Sequence, residues 1–250
     1  MINSLASRPF EKKGGIAYFV PETETEPIQS GWIEKNWRGH VSSPIVSHIS
    51  AAERMISAGR LFLEVGAGPD GGFTYYVLNK DRDARLIISD IEPAVVKEWS
   101  RFFQKGIRPQ NLMYAVLDAC DIPFRDCSVD VVSWHGRFAS FKGDNGKAIS
   151  EIYRVLKPGG LYVSSSISVD AGYAKTLPEK ALGIIKGKYP ALFSDYLRES
   201  YEIGFAEIEN IRGANWSNEG DSSDLAELCR ELGVHLLFTP YLRFCYKGPA

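Results

Sequence analysis

Between residues 60 and 168 short apolar runs alternate with segments of helical periodicity, and this alternation restricts the fold more than any other feature of the chain. The apolar runs are Arg60–Val65, Arg85–Ser89, Leu112–Leu117, Val129–Ser133 and Leu161–Ser168. The fourth is rich in β-branched residues and nearly all apolar, as a strand buried on both faces must be. Between them the spacing predicts helices over Phe73–Leu78, Pro93–Phe103 and Asn145–Leu156, the last stopped by Pro158-Gly159-Gly160. Strands that alternate with helices build a doubly wound, mostly parallel sheet with helices on both faces. Such sheets hold ligands beyond the carboxyl ends of their strands.

The flanks are read differently. Met1–Ser30 has little periodicity and contains the acidic run Glu22–Glu26, so an extended or mobile arm is expected. An aromatic segment with Trp32 and Trp37 follows, and Ser43-Pro44 has the residues to open a helix ending at Gly59. Ala171–Gly220 breaks the alternation; it is helical in places and rich in Tyr, and reads as an insertion over the ligand end. Ser222 or Ser223 can cap a last helix. The runs His235–Phe238 and Leu242–Tyr246, separated by Pro240, predict an antiparallel edge hairpin that completes seven strands. The expected organisation is an arm and cap segment over 1–41, a core over 42–170, a helical substrate cap over 171–221 and the closing helix and hairpin over 222–250.

Lys and Arg number 29 against 31 Asp and Glu, a balance that speaks against DNA as partner. No stretch reaches the ~20 apolar residues of a membrane span. Cys120, Cys127, Cys229 and Cys245 form no C-x-x-C pair, which points to reduced thiols and a cytoplasmic protein. No His, Cys or carboxylate set has metal-ligand spacing, so no metal is expected. Oligomeric state is not legible in the chain.

Four motifs carry chemistry. Gly66, Gly68 and Gly71 follow the first strand as G-x-G-x-x-G, a turn that lets backbone approach a nucleotide closely. Asp90 ends the second strand about 20 residues later, where a carboxylate can accept both ribose hydroxyls. Asp118-Ala-Cys-Asp-Ile-Pro-Phe-Arg-Asp-Cys-Ser-Val-Asp-Val-Val132 and Arg154-Val-Leu-Lys-Pro-Gly-Gly160 come after the third strand and before the fifth. No phosphate-binding G-x-x-x-x-G-K-[ST] is present.

With Glu64-Val-Gly-Ala-Gly68, Asp90 and these two motifs in order, the chain resembles the class I S-adenosylmethionine-dependent methyltransferases, in particular the group that includes the quinone-biosynthesis enzymes. The resemblance spans about Leu61–Val169 and implies a Rossmann-like α/β fold, S-adenosyl-L-methionine as cofactor and S-adenosyl-L-homocysteine as product. It implies that Glu64, Gly66, Ala67 and Gly68 hold the methionine end and that Asp90 binds the ribose. Ile91 would lie on the adenine ring, Asp118 would accept its amino group, and the Ala119 backbone would face it. One departure is Pro69-Asp70, where that family often carries a further glycine. Ser133-Trp134-His135-Gly136 is expected as the loop bordering the reactive methyl, with Trp134 in the cofactor pocket. His135 is the candidate base, its ordinary pKa of about 6.5 suiting that task.

A small organic molecule methylated at O, N or C is the expected acceptor. A protein, peptide or RNA acceptor and a non-catalytic partner subunit are the alternatives. Tyr153-x-x-x-Lys157 matches a reductase pair, but Pro158 ends its helix at once, so an NAD(P) enzyme is disfavoured.

Overall fold

A computed structural model describes residues 2–21, 28, 31–42, 45–69, 71–105, 111–135, 143–218 and 223–249. The strands are β1 (Glu11–Lys13), β2 (Ile16–Tyr18), β3 (Leu61–Glu64), β4 (Arg85–Asp90), β5 (Leu112–Val116), β6 (Val129–His135), β7 (Leu156–Val169), β8 (Phe205–Arg212), β9 (Trp216–Ser217) and β10 (Leu237–Lys247). The helices are α1 (Ile2–Leu5), α2 (Trp32–Ser42), α3 (Val46–Ala58), α4 (Thr74–Lys80), α5 (Pro93–Lys105), α6 (Asn145–Val155), α7 (Ala171–Ala174), α8 (Glu179–Lys188), α9 (Tyr196–Ile203) and α10 (Asp224–Glu231).

All ten strands join one sheet in the order β1-β2-β5-β4-β3-β6-β7-β10-β8, with β9 on β10. The chain winds outward from β3 through β4 to β5, then returns to place β6 on the other side of β3. The switch point therefore lies between β3 and β6, and their carboxyl ends open the crevice where a ligand sits. The two faces are read directly from period-2 alternation. Leu61, Leu63, Ile87 and Val132 pack with Ala148, Ile149 and Ile152 of α6 on one face. Phe62, Leu86, Ile88 and Val131 pack with Met55 of α3, Val77 of α4 and Trp99 of α5 on the other. A smaller core of Val169, Ile185, Leu192, Cys229, Leu236 and Phe238 seats the 171–221 segment and α10.

The doubly wound α/β sheet with an antiparallel margin is as expected, but its flanks differ. The expected extended arm folds into α1 and the hairpin β1–β2, turned by Gly14 and Gly15 at positive φ. Ile16–Tyr18 then pairs in parallel with Tyr114–Val116 and extends the sheet. The expected helix start at Ser43-Pro44 lies outside the described residues, as do Asp70 and Gly136; the described helix begins at Val46. The segment 171–221 is not only helical, since it supplies β8 and β9. Ser223 caps α10, its side chain accepting from the Ala226 N–H.

The expected terminal hairpin is instead the single strand β10, antiparallel between β7 and β8. Pro240 fits inside it because the carbonyl of Pro240 still accepts from the Gly213 N–H at 2.8 Å. Its missing N–H falls just beyond the end of β8, so the ladder loses one rung at its margin rather than in its middle.

Candidate functional site

The glycine turn leaves β3 at Glu64 and enters α4. Gly66, Gly68, Gly71 and Gly72 all have positive φ, between +43° and +68°. A Cβ on Gly71 would stand 2.4 Å from the Trp99 ring; one on Gly72 would stand 2.4 Å from His135 Cβ and 2.6 Å from Glu64 Oε1. Gly72, outside the G-x-G-x-x-G pattern, is thus required by close approach as well as by φ.

Several polar contacts fix the turn. Gly68 N–H donates to Asp90 Oδ2 at 2.9 Å, Trp99 Nε1 donates to the Gly68 carbonyl at 2.8 Å, and Asn36 Nδ2 donates to the Pro69 carbonyl at 2.9 Å. The N-terminal helix α2 therefore grips the turn directly. Trp37, from the same helix, packs on Tyr75, Trp99, Phe102 and Phe103 and is scaffold. Asn36 and Trp99 escaped the sequence reading, because no local pattern marks a contact made across more than 30 residues.

Glu64 is fully buried at the switch point. Ser133 Oγ donates to its Oε2 at 2.6 Å, and Ser89 Oγ donates to its backbone carbonyl at 2.7 Å, so one residue ties β3 to both neighbours. Asp90, 8% exposed, accepts from Gly68 N–H and, through Oδ1, from Glu92 N–H at 2.9 Å. Burial pushes its carboxyl pKa up, and the backbone N–H bonds oppose the shift without cancelling it. Among the described residues no cation pairs with it. The next residue, Ile91, is 52% exposed, an apolar surface left beside the crevice. Leu117 N–H bonds the Asp90 carbonyl and brings the end of β5 alongside. There Asp118 Oδ1 accepts from Cys120 N–H at 2.8 Å, and Ala119 is buried. The Cys120 thiol points to the Asp144 carbonyl at 3.5 Å, a packing role, and burial raises its pKa.

Glu64, Gly66, Ala67, Gly68, Asp90, Ile91, Asp118 and Ala119 thus gather at and just beyond the carboxyl ends of β3, β4 and β5. Trp134 and His135 require a correction. They are not in a loop: β6 runs through His135, paired with Ser165 of β7. Trp134 is buried on the α6 face, with Nε1 3.2 Å from the Cβ position of Gly66. His135 points to the opposite face, where its Nε2 lies 2.8 Å from Nε2 of His48 on α3. Phe73 packs edge-on to the His135 ring. Among the described residues, the insertion's aromatic side chains are not gathered into a pocket: Tyr173 Oη is 2.7 Å from His235 Nε2, while Tyr201 is exposed. The side chains of Tyr196 and Trp216 lie outside the described residues.

The remaining motif residues are structural. Arg154 donates to the Ile122 and Phe124 carbonyls and to Glu151 and Asp126, binding the last motif to the third. Bonds to Glu151 chiefly hold its guanidinium charged. Lys157 pairs with Asp130 at 2.5 Å, and Tyr153 packs on Phe205, so the reductase-like pair is not assembled at the crevice.

The crevice suits an adenosyl ligand without phosphate: a tight glycine cradle, a buried carboxylate for hydroxyls and an exposed apolar wall for a planar base. Fold and site together resemble those of the class I methyltransferases, the class whose methyl donor is S-adenosylmethionine. Residues 63–164 match the family described as methyltransferase domain. It is 28% identical over 160 residues to the uncharacterised methyltransferase YdaC of Bacillus subtilis, covering 63% of this chain and 80% of that protein. The fold is shared with the YcgJ protein of Bacillus subtilis at TM-score 0.59 and 15% identity, over 82% of this chain and 99% of that one. It is also shared with the Streptomyces coelicolor geranyl diphosphate C-methyltransferase, solved with Mg2+, geranyl diphosphate and S-adenosyl-L-homocysteine, at TM-score 0.56 and 16% identity, over 89% and 85%. Among the described residues no helix is long and apolar enough to cross a membrane.

Proposed function

We propose that the protein methylates a small organic acceptor at O, N or C, in the cytoplasm, with S-adenosyl-L-methionine as donor and S-adenosyl-L-homocysteine as product. The observation that carries this reading is Asp90: a buried carboxylate at the crevice, opposed by no cation among the described residues, beside the exposed Ile91. The donor, when bound, supplies an electrophilic methyl on a sulfonium. Glu64 and the Gly66–Ala67–Gly68 backbone hold its methionine end, Asp90 its ribose, and Ile91, Asp118 and the Ala119 backbone its adenine. Trp134 closes the wall, and His135 takes the acceptor's proton. What the chain contributes beyond binding is alignment and exclusion of water, worth up to about 7–11 kcal/mol in well-oriented systems. The four free thiols agree with a reducing compartment.

The acceptor class is tested with methyl-tritiated S-adenosylmethionine and an extract of cells. Label in the solvent-extractable small-molecule fraction is expected. Label confined to acid-precipitable protein or RNA would replace this acceptor class.

A further inference from the structure

We infer that α8 and its flanks form a docking face for an anionic lipid surface, carried by Lys175, Lys180, Lys186 and Lys188 around the exposed Ile184. The whole chain has a formal charge of −2, yet residues 175–188 hold four Lys and a single acid, Glu179. All four lysines are exposed, and among the described residues none of them forms an ion pair. Lys80 and Lys157, by contrast, pair with Glu53 and Asp130. The inference goes beyond the methyltransferase reading and does not depend on it, since it uses no residue of the crevice.

The helix builds the face. Ala181 and Ile185 are buried, and Ile185 joins Val169, Leu192 and Phe238 in the smaller core. Lys180, Gly183, Ile184 and Gly187 follow the i, i+3, i+4, i+7 spacing of one helical face, turned away from that core. A Cβ on Gly183 or Gly187 would meet nothing within 4 Å, so packing inside the chain requires neither glycine. They leave a flat strip beside Ile184, which is 41% exposed. Lys186 Nζ lies 5.3 Å from the Phe193 ring centroid, and Lys188 Nζ lies 5.7 Å from that of Tyr189. Their methylene stems can cover apolar surface while the ammonium groups remain in water. Val169 is the last residue of β7, so α8 stands at the end of the sheet on which the crevice opens.

The charge selects an anionic partner, and the arrangement favours a lipid surface among such partners. The cations are spread along one convex helix, with an apolar side chain between them. Ile184 can enter the headgroup boundary while the ammonium groups meet lipid phosphates. A single-stranded nucleic acid would use exposed rings on which bases stack, and here Tyr189 and Phe193 are half-buried beside the lysines. Such docking needs no membrane-crossing helix.

The test is flotation of the full chain with vesicles of phosphatidylcholine alone and with about 30% phosphatidylglycerol added. Binding to the anionic vesicles is expected, with little to the neutral ones, and it should fall steeply between about 0.1 M and 0.5 M salt. Each lysine at an anionic surface multiplies binding about fivefold, so Lys186→Gln with Lys188→Gln should weaken it about 25-fold. Lys175→Gln with Lys180→Gln, a second and independent pair, should do the same. Ile184→Asn should weaken binding at least about threefold. Lys12→Gln with Lys105→Gln, exposed lysines on other elements, should leave it unchanged. Circular dichroism checks that each variant is folded. Equal binding to neutral vesicles, no binding to anionic ones, or binding that ignores both lysine pairs would overturn the proposal. Poly(U) RNA and poly-L-glutamate are titrated alongside. Binding of either one through these lysines, without vesicle binding, would overturn the lipid assignment in favour of RNA or an acidic protein.

Discussion

Two aspartates from the sequence motifs stand at opposite ends of the same sheet and have opposite electrostatics. Asp130, at the start of β6, accepts from the Arg60 and Leu61 N–H groups and pairs with Lys157. Burial opposes its ionisation, but Lys157 and the two N–H bonds outweigh burial and hold its pKa below the ordinary range. Asp90, at the end of β4, also accepts two N–H bonds, yet its pKa is raised because no cation answers its burial. One carboxylate is complete within the protein. The other, on the proposed function, is finished by the donor's ribose. A local rule satisfied at one end and left open at the other supports placing the proposed site at Asp90.

The largest effect separating the two ends is on ligand affinity. Asp90→Asn should weaken S-adenosylhomocysteine about 30–100-fold, some 2–2.7 kcal/mol, while shifting unfolding free energy by less than about 1 kcal/mol. Asp130→Asn should do the reverse, costing about 2 kcal/mol of stability through its lost ion pair and leaving affinity unchanged. Urea unfolding and calorimetry on both variants would expose a mixed outcome, which would break the contrast.

Acid should sharpen it. The depressed Asp130 contributes stability that is present above its unfolded pKa, near 4, and lost as pH falls. The raised Asp90 contributes stability that is present below about pH 4 and lost as pH rises through its folded value. In unfolding followed from pH 3 to 6, Asp130→Asn should therefore flatten the acid loss and Asp90→Asn should steepen it.

A smaller effect belongs to α2. Asn36→Ala removes one bond to the glycine turn and should weaken the ligand about fivefold, near 1 kcal/mol. The smallest concerns thiols. At pH 8 a maleimide should label exposed Cys127 and spare Cys245, whose pKa burial pushes up to about 12.

The sequence made the centre of the fold legible because its signals are local. Gly66 and Gly68 need positive φ, Asp90 ends a β-branched run, and α6 shows its apolar stripe in every turn. What escaped depends on distant partners. β8 has one buried residue at its start and exposed residues after it, an edge strand whose alternation carries little apolar contrast. Pro240 looked like a break, and is tolerated only because β8 ends beside it. The His48–His135 contact joins residues 87 positions apart, and periodicity places neither ring. Of the expected site residues, those contributed by backbone or strand-end carboxylates stand at the carboxyl ends of β3, β4 and β5. His135 and Trp134 belong to a strand that runs two residues longer than its apolar run, and this turns them to opposite faces.

The most direct test of the central claim is a calorimetric titration of wild type and Asp90→Asn with S-adenosylhomocysteine, with NADH as the control ligand. Saturable one-to-one binding to wild type, weakened at least about tenfold by the substitution, with no heat from NADH, is the predicted result. Binding of NADH, or S-adenosylhomocysteine binding that ignores Asp90, would contradict it.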